Sequence, residues 1–290
     1  LGLQAGRVDD GAGRAAMGFH LFADPAHASD TVTSAMVPAG ADWAAFSQEL
    51  RLNGAAFTDD RLNYTVGAFY MDQRSVYATT QDLRYSATGL TQFQGNDPVN
   101  ADTLAFFGHL SFAITDRLTT NLGVRHTDEH KDYTFSRRTY AGAVHPALGA
   151  IDGVTSNYDG SKFDYRVNLQ YDWNDSLMTY VQWATGFKGG GISPRPFSAA
   201  QAVPFDPEEL ESYELGVKSD LFDRTLRINA SVFYSEYTDV QLTLASCPQY
   251  GVGLPCAVVA NAGDAEVKGA ELEVNYRPIA GLQIDGSYSV

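Results

Sequence analysis

Between residues 163 and 173 the chain alternates without exception. Phe163, Tyr165, Val167, Leu169, Tyr171 and Trp173 hold the odd positions, and Asp164, Arg166, Asn168, Gln170 and Asp172 the even ones. A period of two sends successive side chains to opposite faces of a strand, so one face is apolar and the other polar. The pattern returns over 226–234, where Phe233 is the single exception, and over 282–290. It recurs with small lapses over 62–70, 118–124 and 270–276.

Turn chemistry punctuates these stretches. Thr58-Asp59-Asp60-Arg61, Thr115-Asp116-Arg117, Asn174-Asp175-Ser176, Phe222-Asp223-Arg224 and Pro278-Ile279-Ala280-Gly281 are rich in residues that stabilise tight turns. Each has a strand on either side. The gaps between these hairpins, 74–100, 131–160, 189–208 and 240–263, read as long irregular loops. Ten strands are predicted: 45–54, 61–72, 102–114, 117–128, 162–173, 176–187, 211–221, 224–238, 265–277 and 282–290. In an up-and-down antiparallel sheet, all the short turns then fall at one end and all the long loops at the other. Residues 1–42 fit no such pattern and are read as an unassigned loop or linker.

Alternation alone does not say what touches the apolar face. Strands of this length suit a tilted crossing of a bilayer, for which about 9–11 residues suffice. Short turns at one rim and long loops at the other are the outer-membrane arrangement. Tyr171, Trp173, Tyr234, Tyr237 and Tyr276 at strand ends suit an aromatic girdle. The alternative is a secreted β-sandwich, an adhesin or carbohydrate-binding protein, whose apolar face packs on a second sheet. No run of 18 apolar residues occurs, which excludes only a helical crossing. The formal net charge of -15 argues against a nucleic-acid partner, which would require a basic face. Cys247 and Cys256 bracket a Gly- and Pro-rich loop and are read as a disulfide, implying an oxidising compartment; two free thiols are the alternative.

Several segments together resemble the barrel domain of TonB-dependent outer-membrane receptors. They are FSQELRL (46–52) with LNYTVGAFY (62–70), TYVQWATGFKGGG (179–191), the long run PEELESYELGVKSDLFDRTLRINASVFYSEYTDVQ (207–241), and NAGDAEVKGAELEVNYRP (261–278). The resemblance covers about 45–290. It implies an all-β, antiparallel up-and-down transmembrane barrel of which residues 43–290 supply about ten strands. A full barrel of this kind has about 22 strands and a plugged lumen. It further implies the outer membrane of a Gram-negative bacterium and contact with its lipid. The expected activity is uptake of a scarce ligand, most often a ferric siderophore, energised by the TonB complex through a plug domain. No plug is recognisable in this sequence, so the chain reads as an internal fragment of such a receptor. Glu214 and Lys218, on one polar strand face, become candidate plug-facing residues, with plain lumen solvation as the alternative.

No catalytic constellation, cofactor site or metal site is legible, and no enzyme is expected. His126 and His130 share a strand face and read as solvated residues at a loop root, with a metal pair as the alternative. Glu208, Glu209 and Glu211 read as a solvated charge run. Ser193 lacks a nucleophile elbow and any partner. Candidate ligand contacts in the loops are Arg137, Arg138 and Tyr140, and Tyr77, Gln81 and Tyr85, which suit an anionic or aromatic ligand. The run GFKGGG (186–191) is no phosphate loop, because Lys188 follows Gly186 too closely and Gly189 replaces the Ser or Thr that loop requires. Pro194 and Pro196 also forbid an ordinary following helix. It reads instead as the point where a strand becomes a loop.

Overall fold

The computed structural model describes the backbone of residues 2–9, 15–22, 31–36, 43–57, 61–85, 89–244, 246–250 and 256–290. Side chains are described within those segments from residue 43 onward, except over 81–91. The strands are β1 (Gly2–Asp9), β2 (Ala15–Phe22), β3 (Thr31–Met36), β4 (Trp43–Ala56), β5 (Leu62–Tyr85), β6 (Gly89–Ala113), β7 (Leu118–Thr134), β8 (Thr155–Asn174), β9 (Leu177–Lys188), β10 (Gly191–Ile192), β11 (Pro204–Phe205), β12 (Glu208–Leu221), β13 (Leu226–Thr238), β14 (Gln241–Leu244), β15 (Val258–Asn261), β16 (Ala265–Ile279) and β17 (Leu282–Ser289).

Eleven of these form one antiparallel sheet in the order β17-β16-β13-β12-β9-β8-β7-β6-β5-β4-β3. The edge strands β3 and β17 are not paired with each other, so the sheet is open. All ten strands expected from the alternation lie in it, each beside its neighbour in sequence. The eleventh is β3, whose residues Thr31 to Met36 pair with β4. The segment read as a loop or linker thus contains strands β1, β2 and β3. They escaped notice because a short stretch such as TVTSAM has no clear alternation and is extended by pairing with a neighbour.

The two faces are inverted relative to a water-soluble sheet. Leu50, Phe106, Phe163, Leu215 and Val232 on the apolar face are each more than half exposed. Thr103, Ala105, Thr127, Asn168 and Ser235 on the other face are buried. The polar face is therefore the crowded one. Register keeps the apolar residues in rows: Leu169 pairs with Val181, Val181 with Leu215, Leu215 with Val232, and Val232 with Ala270. Among the described residues the remaining sheets, β1-β2, β10-β11 and β14-β15, have two strands each and are too small to cover this face. The sandwich alternative falls on that count.

Short turns close one end of the sheet. Ser176 N–H donates to the Asn174 side chain at 2.9 Å, and the Thr115 hydroxyl accepts from Arg117 and Leu118 N–H. Phe222, Asp223 and Arg224 all adopt positive φ, and Gly281 sits at φ 84. The expected turn at 58–60 lies outside the described residues. Aromatic side chains mark both limits of the apolar face. At the turn end the Trp173 indole donates to Thr179 at 3.1 Å, and the Tyr171 ring packs edge-on 4.8 Å away. At the other end Trp183, Tyr213 and Tyr234 form one row.

The long-loop end departs most from expectation. Residues 74–85 and 89–100 are no irregular loop, because β5 and β6 stay paired from Leu62–Phe112 to Tyr85–Gly89. The hydrophobic period fades where polar and apolar side chains mix on both faces, while the backbone ladder continues. The hydrophobic core proper also lies here, among loops. Tyr133, Phe135, Ile151, Tyr158 and Ile192 form one buried cluster, and Phe93, Leu148 and Phe197 another.

Candidate functional site

Loop 135–154, between β7 and β8, is fastened to β6 by a buried ion pair. The Arg137 guanidinium donates from one nitrogen to both Asp97 carboxylate oxygens at 3.0 Å and to the Ser136 carbonyl at 2.7 Å. Arg137 is 1% exposed and Asp97 0%. Asp97 also accepts from Ser136 N–H at 2.7 Å and from the Tyr133 hydroxyl at 3.2 Å. The rings of Phe93 and Phe135 each lie 5.3 Å from the guanidinium carbon, a cation–π sandwich. Burial, reinforced by the Asp97 charge, pushes the Tyr133 phenol far above its ordinary range. Arg137 is thus a fastener, and its charge is not offered to an incoming ligand. Its sequence neighbour Arg138 bonds Asp152 at 2.9 Å and stays half exposed, and Tyr140 is exposed nearby.

Loop 189–207 is held against β7 and β8 through the GFKGGG run. The Lys131 ammonium donates to Gly190 O at 2.7 Å, and Gly190 N–H donates to the Tyr158 hydroxyl at 3.2 Å. A Cβ on Gly190 would stand 2.4 Å from both Phe205 O and the Tyr158 ring, and one on Gly189 would meet Glu129. These glycines are required for close approach, which goes beyond marking where a strand ends. Burial raises the Tyr158 phenol as well.

Loop 239–264 carries the β14-β15 hairpin. Cys247 and Cys256 are joined as a disulfide with Cα atoms 5.7 Å apart. Asn261 ties this loop to its neighbour: its amide donates to the carbonyls of Asp206 at 2.8 Å and Asp239 at 2.9 Å, and its oxygen accepts Asp206 N–H at 2.8 Å. Ser193 Oγ accepts Val259 N–H at 3.1 Å, so Ser193 is a joint between loops.

A cation stands at the surface of this mouth. Arg195 is exposed and donates from Nη2 to the Tyr77 hydroxyl at 3.2 Å, while Tyr77 is half-buried and packs against the Tyr133 cluster. Reading the sequence found Tyr77 but missed Arg195, which is 118 residues away. Only the folding back of loop 189–207 brings them together. The side chains of Gln81 and Tyr85 lie outside the described residues. Down the polar face, the Tyr180 hydroxyl donates to Glu214, and the Lys218 ammonium stands 5.7 Å from the Tyr180 ring. Gly216 lets that ring lie flat across the strand, since a Cβ there would meet it at 2.4 Å.

On the apolar face beyond the aromatic row, His126 Nε2 is 3.0 Å from Ser161 Oγ and Nδ1 is 3.5 Å from Asp128. His130 lies between Asp159 at 2.7 Å and Asp132 at 3.3 Å. Each histidine is thus occupied by its own partners. Among the described residues, no three His, Cys, Asp or Glu side chains are arranged to hold a metal ion. Glu209 pairs with Lys162, and Glu211 accepts from the Trp183 indole and the Tyr213 hydroxyl, each at 2.6 Å. These carboxylates are engaged at the rim and are not a free charge run.

Comparison with known proteins places this geometry. A family model described as "TonB dependent receptor-like, beta-barrel" matches residues 80–290. The pesticin receptor of Yersinia pestis is 28% identical over 248 residues, which are 84% of this chain and 33% of the receptor. The probable TonB-dependent siderophore receptor PiuA of Acinetobacter baumannii is 24% identical over 56% of the chain and 20% of its own length. Among solved structures, the ferric yersiniabactin uptake receptor FyuA from Yersinia pestis superposes with a TM-score of 0.67 at 20% identity, covering 95% of this chain and 39% of that one. The ferric-catecholate import receptor Fiu from E. coli K12 gives 0.62 at 16% identity, over 95% and 46%. The chain spans about a third of the length of the pesticin receptor it matches. These relatives are receptors and transporters, not enzymes.

Proposed function

The chain belongs to the TonB-dependent receptor β-barrel family, and from that premise we propose that it forms part of an outer-membrane barrel that takes up an anionic iron chelate. The inverted sheet carries this reading. Large apolar side chains that stand exposed in rows between two aromatic limits suit hydrocarbon, and a crowded polar face suits a filled lumen. The relative named as a probable siderophore receptor supports the ligand class.

Capture at the long-loop mouth is the first step. Arg195 and Tyr77 offer a guanidinium and a phenol together, a donor set suited to a chelate bearing carboxylate or phenolate oxygens. The fastened loops hold this pair in place before the ligand arrives. Passage through the lumen then requires a plug and energy from the TonB complex, with Glu214 and Lys218 as contacts of the plug. No covalent chemistry is involved.

The test is binding of a ferric siderophore by the receptor, followed by quenching of intrinsic fluorescence. Arg195→Ala is expected to weaken binding by about 10- to 100-fold, the loss of one charge-assisted contact worth ~1.5–3 kcal/mol. Arg138→Ala should change it little. Equal affinities for Arg195→Ala and the unaltered protein would remove the assigned site.

A further inference from the structure

Arg195 is an exposed side chain on a segment that is otherwise buried. Ile192, Ser193, Pro196 and Phe197 around it are all nearly inaccessible. Where its guanidinium stands is therefore set by what packs behind that segment. Ile192 lies in the Tyr133 cluster, against which Tyr77 also packs. Phe197 lies in the cluster with Phe93 and Leu148, against which Ala257 packs. Between them the Ser193 hydroxyl accepts Val259 N–H at 3.1 Å and donates to Val259 O at 3.4 Å. Much of the support for Arg195 thus comes from residues 257–259, in a different loop.

That support is slight in itself. Among the described residues β15 pairs only with β14, over four residues, and an isolated two-stranded ribbon is marginal in water. The Gln241–Asn261 end of the ribbon is tied to loop 189–207. The Gln241 amide donates to Gly189 O at 3.0 Å and Asp206 O at 3.1 Å, and the Asn261 amide donates to Asp206 O at 2.8 Å. The Leu244–Val258 end runs instead into Cys247 and Cys256, whose disulfide closes it. Val259 stands one pair from the disulfide end and two from the tied end. The covalent bond limits how far the ribbon opens, and so keeps Val259 on Ser193. Cys247 is buried whereas Cys256 is half-exposed, so a thiol from outside reaches Cys256 first.

We propose that the β14-β15 ribbon with its Cys247–Cys256 disulfide positions Arg195 for capture, and that reduction of this disulfide by a small-molecule thiol switches capture off, an inference that rests on Arg195 as the capturing cation. A thiolate attacks Cys256 Sγ, the bond between the two Sγ atoms breaks, and Cys247 leaves as a thiolate. A second thiolate attacks the mixed disulfide, which releases Cys256 and the oxidised disulfide of the reductant. Both cysteines take protons from water, so two thiols are oxidised as one protein disulfide is reduced. The ribbon then opens from this end and Val259 leaves Ser193. Arg195 spends part of its time out of place, and affinity falls with the fraction of receptor in which it stays in place. Thiols also reduce ferric iron, so capture declines under the conditions that remove its cargo.

The test follows binding to the receptor in detergent by fluorescence quenching. The probes are the gallium(III) complexes of a phenolate and a carboxylate siderophore, whose metal thiols do not reduce. Dithiothreitol, removed afterwards without air, should weaken binding about tenfold, as when about a tenth of the receptor stays competent. Reoxidation should restore it. The C247S/C256S variant should bind like the reduced protein and ignore dithiothreitol. Arg195→Ala lacks the group being positioned, so reduction should cost it nothing further. Hydrogen exchange in residues 191–203 should rise on reduction while the β12-β13 hairpin stays unchanged. Affinity or exchange that reduction leaves unaltered overturns the proposal, as does a response of C247S/C256S to dithiothreitol. An equal loss in Arg195→Ala also overturns it, because the loops would then loosen without acting through Arg195. If the double variant does not assemble, reduction and reoxidation of the unaltered protein, set beside Arg195→Ala, decide alone. An oxidised receptor that binds neither chelate removes the role of Arg195 and this proposal with it, whereas binding that reduction does not touch removes only the proposal.

Discussion

At the scale of single residues, the Arg137–Asp97 pair is where one substitution costs most. Both groups are fully buried, so removing one strands the other's charge without water. Asp97→Ala should destabilise the loop end by about 3–5 kcal/mol, read as lost hydrogen-exchange protection in residues 135–154. Replacing both partners, as in Asp97→Leu with Arg137→Met, should restore much of it, since no buried charge is then left unpaired. His130 gives a pH-dependent readout. Its hydrogen bond to Asp159, with help from Asp132, raises its pKa above the ordinary 6.5 despite the opposing effect of burial. A folded value above the unfolded one means the contact contributes fully below the unfolded pKa and fades as pH rises through the folded one. An NMR titration should place the His130 midpoint above that of an ordinary histidine, and Asp159→Asn should bring it down. Neither residue's role was legible beforehand. Arg137 read as a loop cation because nothing in SRRTY reveals that its partner lies 40 positions earlier.

At the scale of elements, legibility followed the solvent. Strands β8, β9, β12 and β13 were readable because one face is apolar and the other polar along most of their length. The outer halves of β5 and β6 were not. Val76 to Thr80 and Gln92 to Val99 continue the ladder, but polar and apolar side chains mix on both faces, so the period vanishes although Phe93, Tyr77 and Val99 still pack into the loop clusters. Strands β10, β11, β14 and β15 are two to four residues long. They owe their extension to the loops around them. The GFKGGG run was recognised as a strand boundary, yet the reason for its glycines lies in Tyr158, Phe205 and Glu129, which no local pattern discloses.

At the scale of the molecule, the inverted sheet makes a directional claim. Val232 and Ser231 are adjacent on β13 and point to opposite faces. In the receptor, Val232→Arg should impair membrane assembly by about 2–4 kcal/mol, as for an arginine near the bilayer midplane. Ser231→Arg, on the polar face, should be milder. Urea unfolding of the protein in lipid measures both, and equal costs would mean the faces are wrongly assigned. The loops bear on how such a molecule changes over generations. Asn261 and Ser193 each join loop 189–207 to loop 239–264, and Arg137 fixes a third loop, 135–154, to β6. A loop transplanted from a relative to capture a new cargo would arrive without its fastenings, and would loosen neighbours that never touch the cargo. New specificity is then reached more readily by altering exposed side chains such as Arg195 on an intact set of loops than by exchanging loops one at a time.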